Sequence, residues 1–208
     1  MSRTFIITGT DTDVGKTVFA AALCGALGGY YWKPVQAGLE DIGDAARVGA
    51  LSELPTDHIL PEAYRLTTPC SPHRAAAIDG VEIDTARLKL PKVDGPLIIE
   101  GAGGVLVPLT KNWLHADQFS VWQAPVIVVA RTALGTINHS LMTIEILRAR
   151  GVPIHGIAFV GDPHQDSEDI IMAISGVRRL GRLPYLSVLN AETLKIAFAE
   201  NFALGDFR

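Results

Sequence analysis

The chain has 208 residues, 48% of them hydrophobic, and 18 basic against 22 acidic side chains give a formal charge of -4. That is enough apolar material for one large domain with a full core, and the interspersed charges, with no Lys/Arg block, exclude a nucleic-acid footprint and a polybasic membrane patch. Small ligands are therefore the expected partners, and the longest unbroken apolar run, residues 124–130, is far too short to span a bilayer.

Residues 4–8 (TFIIT) predict a buried strand and 18–27 (VFAAALCGAL) a helix, and between them stands GTDTDVGKT, residues 9–17. A strand, a glycine-bearing turn and a helix opening on Lys-Thr form a phosphate cradle. Backbone N–H groups and the helix dipole face the anion, Lys16 meets the terminal phosphates and the Thr17 hydroxyl can ligate Mg2+. Five residues separate Gly9 from Gly15, and position 10 is Thr; the usual phosphate loop has four. Cys24, in the helix, and Cys70, in a Pro-rich stretch, lack metal-ligand spacing and read as free thiols. With Met-Ser-Arg leading directly into a strand, a cytoplasmic protein is the expectation.

Residues 30–35 (YYWKPV) predict a second strand with Pro34 near its carboxyl end, so Lys33 emerges near the sheet edge that carries the phosphate loop. Taken alone, a solvated lysine on an edge strand is the simpler reading. Gln36, Ala37 and Gly38 follow, then an acidic turn at Glu40 and Asp41 and a short helix from about Gly43 and Asp44. Asp44 either caps that helix or faces a metal, and the cap explains it more cheaply. Residues 55–72, rich in Pro and Thr, predict a long loop that is a candidate substrate wall or lid, with His73 as a local hydrogen-bonding group. A small helix is expected at 84–90.

Residues 95–104 (GPLIIEGAGG) are the second informative stretch: a buried strand delivers Glu100 at its end and turns on glycines. In this Walker-B-like layout Glu100 can hold Mg2+ directly or through water, and the glycines let backbone approach the terminal phosphate, although a buried strand can also end in an ordinary solvated Glu. Residues 125–130 (PVIVVA) predict another strand, and 131–140 (RTALGTINHS) turn into a helix with Ile137, Leu141, Ile144 and Leu147 or Arg148 at helical spacing. Its start at Gly135 and Thr136 leaves N–H groups that can take a carboxylate or phosphate, although most such ends are capped by water or their own side chains. His139 reads as a surface or interface residue. A strand at 154–160, a helix at 166–174, a strand at 178–183 running into Pro184, Tyr185 and Leu186, and a helix at 191–203 complete the chain. Asp162, His164 and Asp166 resemble a ligand cluster, but turn chemistry explains them more cheaply. Without internal repeats, the alternation implies a single α/β domain over residues 1–208. Its sheet is mostly parallel, flanked by helices and joined by right-handed crossovers, as in P-loop NTPases.

GTDTDVGKT, KPVQAG, SPHRAA, EGAGG, LGTINHS and the late PYL, in this order and across nearly the whole chain, resemble the dethiobiotin synthetase family. The resemblance implies an ATP-dependent ring closure that makes the cyclic urea of dethiobiotin from 7,8-diaminononanoate and CO2, with ATP as co-substrate and Mg2+ as cofactor. Lys16 and Lys33 would be the catalytic residues. Asp13, Val14, Gly15, Lys16, Thr17 and Val18 would wrap the phosphates, and Gly101, Ala102 and Gly103 would approach the γ-phosphate. Pro184, Tyr185 and Leu186 would frame the base, and Thr17, Asp44 and Glu100 would hold Mg2+. Thr12, Lys33 and Ala37 would meet the substrate. Gly135, Thr136, Ile137 and Asn138 would hold its carboxylate across the interface of a homodimer.

Three positions depart from the family pattern: Ala37 offers only backbone where some members carry a hydroxyl, Asp13 stands where Glu is common, and Val160 stands where an Asn often reads the adenine edge. Weaker discrimination among nucleoside triphosphates is therefore expected. Two rivals share the architecture. Partition-type or nitrogenase-iron-protein switch ATPases usually carry a Lys early in the loop, where this chain has Asp11-Thr12-Asp13. A corrinoid-amidating ligase would need a glutaminase Cys-His pattern and a second domain, neither of which is present.

Overall fold

The apolar runs of the sequence become the strands of one sheet, because a strand covered on both faces must be hydrophobic throughout. The computed structural model describes residues 3–39 and 42–207; the acidic turn expected at Glu40 and Asp41 lies outside the described residues. In chain order the elements are β1 (Thr4–Gly9), α1 (Lys16–Leu27), β2 (Tyr30–Trp32), β3 (Val35–Ala37), α2 (Gly43–Ser52), β4 (Ile59–Leu60), β5 (Tyr64–Leu66), α3 (Pro72–Asp79) and β6 (Leu97–Gly104). There follow β7 (Pro108–Thr110), β8 (Trp113–Leu114), α4 (His115–Trp122), β9 (Val126–Arg131), α5 (Thr136–Ala149), β10 (Ile154–Val160), α6 (Gln165–Ser175), β11 (Arg179–Leu183) and α7 (Ala191–Asn201).

The main sheet has the order β11-β10-β9-β1-β6-β2-β4, and its pairings are all parallel. Side chains alternate across it. Phe5 and Ile7 of β1 join a core under α1, α2 and α7 that includes Phe19, Val48 and Phe198. Ile6 joins a core on the opposite face with Phe119, Ile144 and Ile171 of α4, α5 and α6. Ala20, Ala21 and Ala22 are buried along α1, so the helix lies close to the strands beneath it. Parallel strands point their carboxyl ends one way, and the phosphate loop after β1, Lys33 after β2 and the end of β6 share one edge.

The expected strand 30–35 is two strands in two sheets. Pro34 has no N–H for a ladder, so β2 stops at Trp32, and β3 pairs with β5 in a small separate sheet. Nor is β2 an edge: β4 pairs along its outer side, and Lys33, at 5% exposure, is buried rather than solvated. The stretch 55–72, expected as loop, holds a 3-10 turn (Thr56–His58), β4 and β5. These pieces of two or three residues are too short to show a period. The helix expected at 84–90 is a single 3-10 turn, Thr85–Arg87, and α7 ends at Asn201 because Phe202 turns extended and bridges to Gly181. Sequence reading missed α3, α4, β7 and β8. Cys24 and Cys70 are free, as expected. Among the described residues no helix is long and apolar enough to cross a membrane.

Candidate active site

The phosphate loop owes its shape to Gly15, which precedes α1 in the left-handed region at φ 94°. A Cβ there would also lie 2.9 Å from Val160 Cγ1, so the position excludes side chains on both counts. No side chain caps α1, which leaves its opening N–H groups for an anion. Lys16 folds back over the loop, its Nζ donating to the Asp11 carbonyl at 3.0 Å. Burial pulls the Lys16 pKa below the usual 10.5; Glu100 opposes that shift and Lys33 adds to it.

Thr17, the next residue of α1, donates from Oγ1 to Glu100 Oε1 at 2.8 Å and lies 3.1 Å from Asp44 Oδ1. Lys33 Nζ pairs with Asp44 Oδ2 and with Glu100 Oε1, the latter at 3.3 Å. Burial alone would lower the Lys33 pKa, but the charges of Glu100 and Asp44 and their hydrogen bonds outweigh it and the pKa is raised, so this lysine stays charged. Burial pushes the Asp44 pKa up, but the charge and hydrogen bond of Lys33, with the Thr17 hydrogen bond and Arg47, outweigh it and the pKa is lowered. Asp44 does not cap α2: it sits in the first turn after the N-cap position Ile42 and points into the cluster. A hydroxyl and two carboxylates from α1, α2 and β6 therefore converge. Such hard oxygen donors fit Mg2+, which takes one or two carboxylates and fills its shell with phosphate and water.

Three contributors escaped sequence reading. Tyr31, fully buried, donates its hydroxyl to Glu100 Oε2 at 2.8 Å. Gln36 Oε1 accepts from the Asp44 backbone N–H at 3.3 Å, tying α2 to β3. His115 opens α4 beside the glycine turn: a Cβ built on Gly101 would lie 3.6 Å from its Nδ1, and its buried Nε2 has no hydrogen-bond partner among the described residues. Only Tyr31 left a trace, as a hydroxyl on the strand before Lys33. The turn itself continues to Gly103, at φ 64°, where an added Cβ would lie 3.7 Å from Thr12 Oγ1, so both glycine loops meet there.

Residues 3–193 match a family model described as an AAA domain. The chain is 63% identical over 203 residues to the ATP-dependent dethiobiotin synthetase BioD of Novosphingobium aromaticivorans, covering 98% of each chain. It is likewise 63% identical to the protein of that name from Rhizorhabdus wittichii, over all of this chain and 99% of that one. The chain belongs to the dethiobiotin synthetase family. Among solved structures, the septum site-determining protein MinD of Pyrococcus horikoshii, complexed with Mg-ADP, is similar with a TM-score of 0.52 at 14% identity over 95% of this chain and 86% of that one. At that identity the likeness shows the fold alone.

Other residues that the dethiobiotin synthetase resemblance singles out make no hydrogen bond or ion pair to Thr17, Lys33, Asp44 or Glu100 among the described residues. Gly135 opens α5 without a side-chain cap, Thr136 is buried, Ile137 is half-buried and Asn138 exposed. Ala37 ends β3 half-buried, and Ala102 is half-buried within the turn. Tyr185 is 66% exposed between the half-buried Pro184 and Leu186, and its ring lies 3.5 Å from a Cβ built on Gly161. Asp13 takes φ 55° in the loop; Val14 is buried and Val18 half-buried. His73 bonds locally to Ser71 and His164 to Ser167. No metal-type group of three or more His, Cys, Asp or Glu occurs among the described residues.

Burial, helped by the charges of Lys33 and Lys16, pushes the His115 pKa down to about 3 from 6.5. Between those values the unfolded chain binds the extra proton, so the stability this group contributes is complete above about pH 6.5 and is lost as pH falls. From pH 7 to pH 5 the loss is about 2 kcal/mol. Urea midpoints at the two pH values are expected to converge by that amount in His115→Phe, which fills the slot without titrating; an unchanged difference would show that His115 is not the group.

Proposed function

We propose that the protein is an ATP-dependent dethiobiotin synthase, a C–N bond-forming cyclo-ligase acting on 7,8-diaminononanoate, CO2 and ATP. One amine of the substrate captures CO2 as a carbamate and loses a proton. A carbamate oxygen attacks the γ-phosphate, releasing ADP, and the second amine attacks the carbonyl carbon, expels phosphate, gives up a proton and closes the cyclic urea. The observation that carries this reading is the second buried lysine. Hydrolysis of a nucleotide calls for Lys16 at the phosphates, whereas Lys33, charged and facing the same carboxylates, fits a second anion held beside the first. Relatives named for the reaction, at 63% identity, support it.

In this reading Lys16 spans the phosphates and Lys33 neutralises the carbamate and the transferred phosphoryl group. The backbone of Asp13, Val14, Gly15 and Val18 wraps the phosphates, and Gly101, Ala102 and Gly103 approach the γ-phosphate. Thr17, Asp44 and Glu100 would hold Mg2+, which when bound supplies positive charge against the phosphate oxygens. Thr12 and the Ala37 backbone meet the substrate's reacting end. Pro184, Tyr185 and Leu186 frame the base, and Val160, packed against the phosphate loop, has no amide to read its edge. The free thiols fit a reducing cytoplasm.

The reading includes a homodimer with shared sites. The uncapped start of α5 at Gly135, Thr136, Ile137 and Asn138 offers N–H groups to the substrate carboxylate. Leu134 beside it is fully exposed, an apolar side chain that a partner surface would cover.

Phosphate release from Mg-ATP is expected only when 7,8-diaminononanoate and bicarbonate are both present, and Lys33→Ala should lower it by about 10²–10³; release indifferent to the diamine would turn the reading toward an ATPase switch. Across ATP, CTP and GTP, kcat/KM should vary by no more than about tenfold, some 1.4 kcal/mol, and a marked ATP preference would contradict the role given to Val160. Mixing Lys33→Ala subunits with subunits altered at Thr136 and Asn138 should restore part of the activity, because one site of each heterodimer is intact; no recovery after verified subunit exchange rules out sites shared between subunits.

A further inference from the structure

We propose that Tyr31 is a positioning residue that makes Glu100 a one-oxygen ligand and so favours Mg2+ over larger cations. The inference rests on the reading of Glu100 as a metal holder. It starts from register: β2 pairs with β6 so that Tyr31 faces Ile98, and Glu100, two residues further along β6, projects from the same face as Ile98. A phenol is long enough to reach this diagonal neighbour. Tyr31 and Ile98 both belong to the core beneath α1, the helix whose first turn carries Thr17.

The result is a division of labour between two oxygens. Oε2 accepts the Tyr31 hydroxyl at 2.8 Å, while Oε1 faces Thr17 at 2.8 Å and Lys33 at 3.3 Å. Glu100 is 1% exposed, so water does not offer its oxygens an equivalent partner. The terminal torsion of a glutamate is broad and roughly two-fold, and a hydroxyl fixed on one oxygen settles it. Calcium readily takes a carboxylate through both oxygens in a large, flexible shell, whereas magnesium demands near-ideal octahedral geometry. A carboxylate with one oxygen already bonded suits the smaller ion. The competing account is that Tyr31 is a core side chain whose hydroxyl uses the nearest acceptor.

Calorimetric titration of ADP in the presence of Mg2+ or Ca2+, with the wild type and Tyr31→Phe, separates the two accounts. The variant keeps the ring and its packing and removes only the hydroxyl. Mg2+-supported ADP binding is expected to weaken by about 10–100-fold, the usual cost of losing a ligand's outer partner. Ca2+-supported binding is expected to weaken at least fivefold less. Equal weakening with both ions, or none, overturns the inference while leaving Glu100 as a metal holder. Wild-type ADP binding indifferent to either ion overturns that reading and this inference together. Should the variant not fold, tyrosine labelled with 13C at Cζ gives a second test in the wild type: a slowly exchanging Tyr31 hydroxyl in the Mg2+-ADP complex is expected, and rapid exchange overturns the proposal.

Discussion

A lysine ammonium cannot be buried unless its charge is met, and Lys33 is buried to within 5% of full cover. Its two carboxylate partners come from different elements, Asp44 from α2 and Glu100 from β6, and neither is placed by the other. Breaking such a pair by removing one partner leaves an uncompensated buried charge, which costs about 3–5 kcal/mol. The arrangement therefore holds α2, β2 and β6 at fixed distance around one point. Burial lowers the Lys16 pKa and the charge of Lys33 adds to that shift, so two lysines and two carboxylates stand around one point.

The parallel sheet makes that cluster possible. Residues distant in sequence, 17, 33, 44 and 100, reach one place because β1, β2 and β6 are neighbours and end on the same edge. The backbone supplies what side chains do not: an uncapped helix at Lys16 and a glycine turn at the end of β6, both able to approach phosphate closely. Gln36 ties the start of α2 to β3, and β3 exists as a separate strand because Pro34 ends the ladder. The same proline that breaks the strand thus helps bring Asp44 to Lys33.

Much of this was legible in the residues. Periodicity and turn chemistry gave every strand of the main sheet but the two-residue β4, since long apolar runs leave few alternatives in a chain of this size. GKT after a strand and Glu100 before glycines pointed, for a chemical reason, to residues that the structure gathers with Lys33 and Asp44. What escaped was set by pairing across the chain. Asp44 reads as a cap when only its own helix start is considered, and it becomes a partner of Lys33 only when β2 and α2 are side by side. Lys33 reads as solvated until β4, a two-residue strand with no periodic signal, covers the edge beside it. His115 gave no signal at all, because nothing in HADQF tells that its ring packs beside Gly101.

Fold does not decide between a synthetase and a switch. The MinD structure of Pyrococcus horikoshii shares the architecture at 14% identity, and a strand-loop-helix cradle for phosphate is common to such folds. The difference has to lie in a residue whose burial is unexplained by nucleotide binding. In the proposed reading that residue is Lys33: a solvated lysine at a strand end would be unremarked, but burying one costs desolvation that the ion pairs with Asp44 and Glu100 must offset. A lysine serving only stability could be replaced by an apolar side chain of similar size together with its partners, often without loss. In the proposed reading, the place of Lys33 beside Thr17 meets what an acceptor anion next to the γ-phosphate requires, which links the family assignment to a chemical demand rather than to likeness alone.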